Sequence, residues 1–144
     1  MAQSTIFLVR HAEKAKSRSI DAKDPSLTNA GRARAKSLST TLKDANLTTV
    51  YATEFKRTQQ TAEPVVRSVG IPVTIVPAEE TKTLISKLKK SRGNSLVVGH
   101  SNTLPEIIKA LGVRPSVVIG ETDYDNLFVV VRGSSSQLIR LHYR

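Results

Sequence analysis

Arg10 and His11 stand where an apolar run, Thr5 to Val9, stops, and a second histidine, His100, stands one glycine beyond another such run, Ser95 to Val98. If both runs are parallel strands of one sheet, both histidines emerge at strand carboxyl ends, where open α/β sheets bind their ligands. Arg57 lies a few residues past a third strand-like stretch, Thr49 to Ala52, early in a polar helical segment that opens near Glu54. Two arginines and two histidines then converge with little acid among them. Such a cluster suits an anion, and the tetrahedral oxyanion that best matches forked guanidinium donors is a phosphoryl group.

Three ordered blocks carry a resemblance. The run Leu8, Val9, Arg10, His11, Ala12, Glu13, the stretch Val50 to Thr61 with Arg57 and Thr61, and the run Val97, Val98, Gly99, His100, Ser101 resemble the histidine phosphatase superfamily, also called phosphoglycerate mutase-like. The likeness covers essentially the whole chain, including Leu27 to Ala35, which resembles the opening of that family's first helix. Two positions depart from its pattern: Thr53 replaces the usual serine that starts the second block, and Thr58 replaces the alanine that commonly follows the second arginine. The resemblance implies a phosphoglycerate mutase-like fold and phosphoryl-transfer chemistry. Taken alone, Arg57 reads equally as an exposed helical residue, like its neighbour Lys56, so its place in the site leans on the resemblance.

The chemistry assigns roles. Water attacks a phosphate monoester very slowly, and a histidine nucleophile divides the reaction into two transfers through a phosphohistidine intermediate. The nucleophile needs one unprotonated ring nitrogen aimed at phosphorus while the other is held by an acceptor. His11 is expected in that role. Arg10, Arg57 and His100 are expected around the equatorial oxygens, where most phosphoryl-transfer catalysis originates. Backbone donors near Ser101, at the start of the helix after His100, would add to the anion site. The general acid is ambiguous. Glu79 and Glu80 occupy the segment from which many family members supply a glutamate, yet both equally suit a helix N-terminus by complementing its dipole. Glu13 is close in sequence to His11, in a loop whose direction the sequence leaves open.

Other readings of these residues are weighed on the same terms. His142 alternates within the last strand and reads as a satisfied polar residue. A metal site is disfavoured, because Arg10 beside His11 repels a cation and no acidic pair stands at ligand spacing. Neither metal nor cofactor is therefore expected. Twenty-two Lys and Arg against twelve Asp and Glu give a formal charge of +10, which concentrates phosphorylated substrates and also favours nucleic acid non-specifically. Lys87, Lys89 and Lys90 share a polar segment without interleaved aromatics, so they read as a solvated face and not a base-stacking surface. No specific nucleic-acid partner is expected.

These residues must be positioned by a small α/β body. The length of 144 residues predicts one domain over 1–144 with a sizeable core. Hydrophobic content of 39% with three Phe and three Tyr means a core of Val, Leu, Ile and Ala. Expected strands are Thr5 to Val9, Thr49 to Ala52, Val73 to Val76, Ser95 to Val98, Leu127 to Val131 and Gln137 to Tyr143. Expected helices run from about Asn29 to Lys43, Glu54 to Val69, Thr81 to Lys90 and Thr103 to Leu111. Pro64 should kink or divide the second helix, whereas Pro105 falls harmlessly in a first turn. Gly133 to Ser136 reads as a hairpin turn, so one sheet edge should be antiparallel. The expected architecture is a three-layer α/β/α sandwich with a mostly parallel sheet.

The absence of cysteine excludes disulfides and thiolate chemistry. No apolar stretch approaches the ~20 residues a transmembrane helix needs, so no membrane insertion is expected. A first strand near Thr5 leaves no room for a signal peptide. Ala2, Gln3 and Ser4 could equally begin a mature exported chain to which Met1 was added, so the compartment stays open between cytoplasmic and exported. Short loops imply an open pocket, one that admits a phosphorylated small molecule or a phosphoprotein side chain and excludes water poorly. That favours hydrolysis over mutase chemistry, which must retain the phosphoryl group between half-reactions. The sequence thus reads as a compact, metal-independent phosphatase of phosphomonoesters or protein phosphohistidine. A phosphoglycerate mutase-type phosphotransferase and a catalytically weak phosphate- or phosphoprotein-binding module are the alternatives.

Overall fold

A computed structural model describes residues 4–16 and 23–144. Ala2 and Gln3, named above as part of a candidate mature terminus, lie outside the described residues. Ten elements follow one another: β1 (Ser4–Arg10), α1 (Asn29–Thr41), β2 (Leu47–Ala52), α2 (Lys56–Val69), β3 (Val73–Ile75), α3 (Thr81–Lys90), β4 (Asn94–Gly99), α4 (Leu104–Ala110), β5 (Asn126–Arg132) and β6 (Gln137–His142). They form one six-stranded sheet in the order β3-β2-β4-β1-β5-β6. The first four strands in that order are parallel, and β5 and β6 are antiparallel, as the hairpin-like turn after β5 predicts.

Alternation along the strands divides the apolar residues between two cores. Ile6, Leu8, Val97, Phe128 and Val130 pack with Leu84 and Leu88 of α3 and with Leu104, Ile107 and Ile108 of α4. Their neighbours Val9, Val50, Leu96, Val98, Leu127 and Val129 pack with Leu38 of α1 and with Ala62 and Val65 of α2. Helices therefore cover both faces of the sheet. Such a sandwich holds the central strand ends rigidly, because β1 and β4 are buried on both sides.

Two local features set the helices that carry the site. The Thr28 hydroxyl caps α1 by accepting from the Gly31 amide at 3.0 Å, and Gly31 lies against the Glu13 carbonyl so closely that a Cβ there would overlap it. Helix α2 has no cap from its own Ncap residue, Phe55; the Asp24 carboxylate instead accepts from the Lys56 amide at 2.8 Å. Of the two outcomes expected at Pro64, a kink or a division, the second does not occur: α2 runs unbroken from Lys56 to Val69 through Pro64. One backbone donor is lost there, but buried Thr61, Ala62 and Val65 hold both flanking turns against the sheet. Helix α2 ends at Gly70, whose φ of 79° is the left-handed conformation that glycine adopts without strain.

Candidate active site

Pairing of β1 with β4 brings the histidines together. Arg10 stands opposite Gly99 in register, and the His11 amide donates to the Gly99 carbonyl at 2.9 Å, so both chains leave the sheet side by side. The His11 and His100 rings lie 5.5 Å apart, edge to face. Arg10, His11 and His100 are all buried. Strand β2, on the other side of β4, delivers Thr53, Phe55 and Arg57 to the same strand ends.

The state of His11 follows from one contact. Its Nδ1 lies 2.8 Å from the Ala12 carbonyl, which can only accept, so Nδ1 carries the hydrogen and Nε2 keeps its lone pair. The Ala12 amide in turn donates to Thr61 Oγ1 at 2.9 Å, and the Thr61 hydroxyl donates to the Arg57 carbonyl at 2.7 Å. This ties the His11 loop to the first turns of α2. Burial lowers the His11 pKa to about 3, opposed by the Ala12 hydrogen bond and assisted by His100, Arg10 and Arg57. Burial likewise lowers His100 to about 4, with Arg57 adding to the effect and Glu54 opposing it. Both rings are neutral near neutral pH.

Each arginine is backed by an aromatic ring. The Arg10 guanidinium lies 4.1 Å over Tyr124, and its Nη1 donates to the Glu121 carbonyl at 2.7 Å and, more loosely, to those of Gly120 and Asp123. Arg57 lies 4.3 Å over Phe55. Phe55 also meets the His100 ring at 5.4 Å, and Tyr124 meets the His11 ring at 6.2 Å. The Nε donors of both arginines are buried with no protein partner among the described residues. Unpaired buried donors on two guanidinium groups beside two neutral imidazoles have the chemistry that suits an oxyanion. Burial draws the Arg57 pKa down, with Asp24 and Glu54 opposing.

The remaining candidates fall at different distances from this centre. Ser101 is in the turn between His100 and α4, which opens at Leu104. Glu79 and Glu80 are exposed, and Glu80 is the Ncap of α3 without a side-chain cap bond. Neither bonds to Arg10, His11, Arg57 or His100 among the described residues. Glu13 turns away to take both Nε and Nη2 of Arg34, at 2.8 and 3.0 Å. Burial pushes its carboxyl up, but the Arg34 bonds outweigh it and leave the pKa lowered, which removes Glu13 as a proton donor. His142 is exposed and meets Asp125 at 3.2 Å. No cluster of metal-ligating side chains occurs among the described residues.

Five contributors escape the sequence. Thr53 and Thr58, the two departures from the family pattern, bond to each other, and Thr53 bonds to His100. Glu54 is the carboxylate whose charge reaches both His100 and Arg57, while its Oε1 accepts from the Ala78 amide at 2.9 Å. Phe55 and Tyr124 supply the walls. Scarcity was the available signal for these two: a chain with so few aromatic residues places both next to polar turn segments and not inside strands.

Residues 6–79, just over half of the chain, match the sequence profile of the histidine phosphatase superfamily, branch 1. The chain belongs to the histidine phosphatase superfamily. Solved structures agree on its phosphoglycerate mutase-like fold. The protein histidine phosphatase SixA complexed with tungstate has a TM-score of 0.74 at 17% identity, covering 96% of each chain. A protein from Escherichia coli K-12 provisionally assigned as an α-ribazole-5′-P phosphatase has a TM-score of 0.76 at 17% identity, again over 96% of each chain. Mycobacterial glucosyl-3-phosphoglycerate phosphatase has a TM-score of 0.74 at 13% identity, covering 96% of this chain and 97% of its own. At these identities the likeness is one of fold. No curated protein sequence matches the chain. No described helix of this superfamily member is long and apolar enough to cross a membrane.

Proposed function

We propose that this member is a metal-independent phosphatase that passes a phosphoryl group through His11. The observation that carries the reading is the Ala12 carbonyl on His11 Nδ1, which leaves the Nε2 lone pair beside the unpaired Nε donors of two arginines. In the first transfer an Nε2–P bond forms as the bond from phosphorus to the leaving group breaks, and that group departs with the electron pair. In the second, water attacks phosphorus, the N–P bond breaks, and inorganic phosphate leaves. Arg10, Arg57 and His100 hold the equatorial oxygens in both.

The substrate class follows from the acid. Glu79 and Glu80 are exposed and Glu13 is held ionised, so this reading favours a leaving group that departs with little help. Imidazole leaves more readily than an alkoxide, which points to protein phosphohistidine ahead of alkyl phosphomonoesters. Two half-buried rings, Phe55 and Tyr124, also suit a planar leaving group.

The test is turnover of an aryl phosphate and of a phosphohistidine peptide by the parent and by His11→Ala, in the presence of chelator. Acid-labile, base-stable label on His11 and loss of turnover in the variant are expected. Equal turnover by both proteins, or stimulation by a divalent metal, overturns the reading. Glu54→Gln, Glu79→Gln and Glu80→Gln should show small, uniform losses across leaving groups. A loss confined to alkyl phosphates would instead mark that carboxylate as the general acid.

A further inference from the structure

His100 Nε2 stands 3.0 Å from the Thr53 hydroxyl oxygen, that oxygen stands 2.9 Å from Thr58 Oγ1, and Thr58 Oγ1 stands 2.9 Å from the Phe55 carbonyl. Thr58 is fully buried, and Thr53 and His100 nearly so. Each of these contacts requires one hydrogen, because two lone pairs at such a distance repel. Three hydrogens can fill them, one each from Thr58 Oγ1, Thr53 Oγ1 and His100 Nε2. The Phe55 carbonyl at 2.9 Å and the Thr53 carbonyl at 3.2 Å can both only accept, so Thr58 gives its one hydroxyl hydrogen to these two carbonyls and has none for Thr53 Oγ1. Thr53 must then donate to Thr58, and His100 Nε2–H to Thr53. The Thr53 amide donates to Thr58 Oγ1 at 3.0 Å and fills its second lone pair, which completes the count. The opposite direction would leave the Thr58 and Phe55 oxygens in contact with no hydrogen between them.

We propose that Thr58 is a positioning residue which, through Thr53, holds His100 as its Nε2–H tautomer, so that capture of a phosphoryl oxyanion by Nδ1 requires uptake of a proton. The proposal rests on the phosphoryl-site reading above. In the neutral ring Nδ1 is a lone pair and repels an oxyanion. It becomes a donor only when the ring is protonated, and the bond it then makes is charge-assisted. Burial above all, then Arg57, Arg10 and Lys14, hold that proton off in the free protein while Glu54 favours it, and the rings of His11 and Phe55 pack alongside. A bound dianion reverses this balance and brings the proton with it. Without the Thr58 hydroxyl, Thr53 is free to donate to Nε2, and the ring hydrogen moves to Nδ1. The alanine common at this position in the superfamily has no hydroxyl to prevent this, so the device belongs to chains that carry the threonine.

The test reads the tautomer directly. Two-bond nitrogen–proton correlations on histidine-labelled parent protein at neutral pH should show His100 protonated on Nε2 and His11 on Nδ1. Thr58→Val, which keeps the shape and removes the hydroxyl, should move His100 toward Nδ1–H, and Thr58→Ser should not. Tungstate stays a dianion through neutral and alkaline pH. Its affinity for the parent should fall about tenfold per pH unit across the neutral range while one proton is taken up, and Thr58→Val should flatten that slope. An Nδ1–H His100 in the parent, or a Thr58→Val protein with parental tautomer and slope, overturns the inference. If Thr58→Val does not fold, the parent spectrum alone decides. Absence of tungstate binding would remove proton uptake together with the phosphoryl-site reading, whereas a wrong tautomer with intact binding removes this inference alone.

Discussion

Arg57 and Lys56 are adjacent cations at the start of α2, and only their surroundings differ. Lys56 is exposed, with its amide on Asp24, while the Arg57 guanidinium is stacked on Phe55 with a buried, unpaired Nε. A planar fork in that slot offers two parallel donors to a phosphoryl group, and lysine offers a point charge. Arg57→Lys is therefore expected to lower kcat/KM by about 10²- to 10³-fold, the usual cost of one preorganised oxyanion donor. Steady-state kinetics on an aryl phosphate check this, and parental values would place Arg57 outside the site.

At the scale of elements, the critical joint is between the His11 loop and the start of α1. Gly31 lies against the Glu13 carbonyl, the Thr28 amide donates to that same carbonyl at 2.9 Å, and the Glu13 carboxylate is bound by Arg34 further along α1. A methyl group at position 31 must push α1 away from the chain two residues beyond the nucleophile. Gly31→Ala should cost about 1–3 kcal/mol in stability as overpacking. It should also lower turnover, by shifting the Ala12 carbonyl that orients His11. Denaturant unfolding read beside kinetics checks both, and a variant with unchanged midpoint and turnover would show that α1 yields freely. The uninterrupted passage of α2 through Pro64 belongs to the same scale, since packing of neighbouring turns outweighs one lost backbone bond there.

The whole molecule carries the consequence of burying two neutral histidines. In the unfolded chain both take up protons near pH 6.5, but in the folded protein burial holds them to about 3 and about 4. Between these limits the unfolded state binds more protons, so stability rises with pH and is lost as pH falls. The thermal midpoint should drop from about pH 6.5 to 5, above the range where most carboxylates titrate. A protein with His11→Asn and His100→Asn together should show a flatter curve over the same interval. Parallel curves for the two proteins would mean that the rings are protonated in the native state, contrary to their burial.

How much of this was legible in the chain differs by kind. Strand and helix positions follow from apolar periodicity, and the observed elements agree with them to within about two residues. The convergence of Arg10, His11 and His100 was legible because parallel strands must deliver their carboxyl ends to one edge, whereas the place of Arg57 leaned on the family resemblance. Direction of side chains was not legible: Glu13 turns to Arg34, Glu79 and Glu80 face solvent, and Ser101 precedes a helix that starts later than the residues suggest. Nor could linear order show that Thr53 and Thr58, together with the Phe55 carbonyl, would line up behind a histidine over forty positions away. Periodicity is a local property written in neighbouring residues, so the sequence alone determined which elements form and which strand ends meet. Hydrogen-bond direction, tautomer and burial depend on atoms brought within 3 Å from separate strands, and only the tertiary structure decided those.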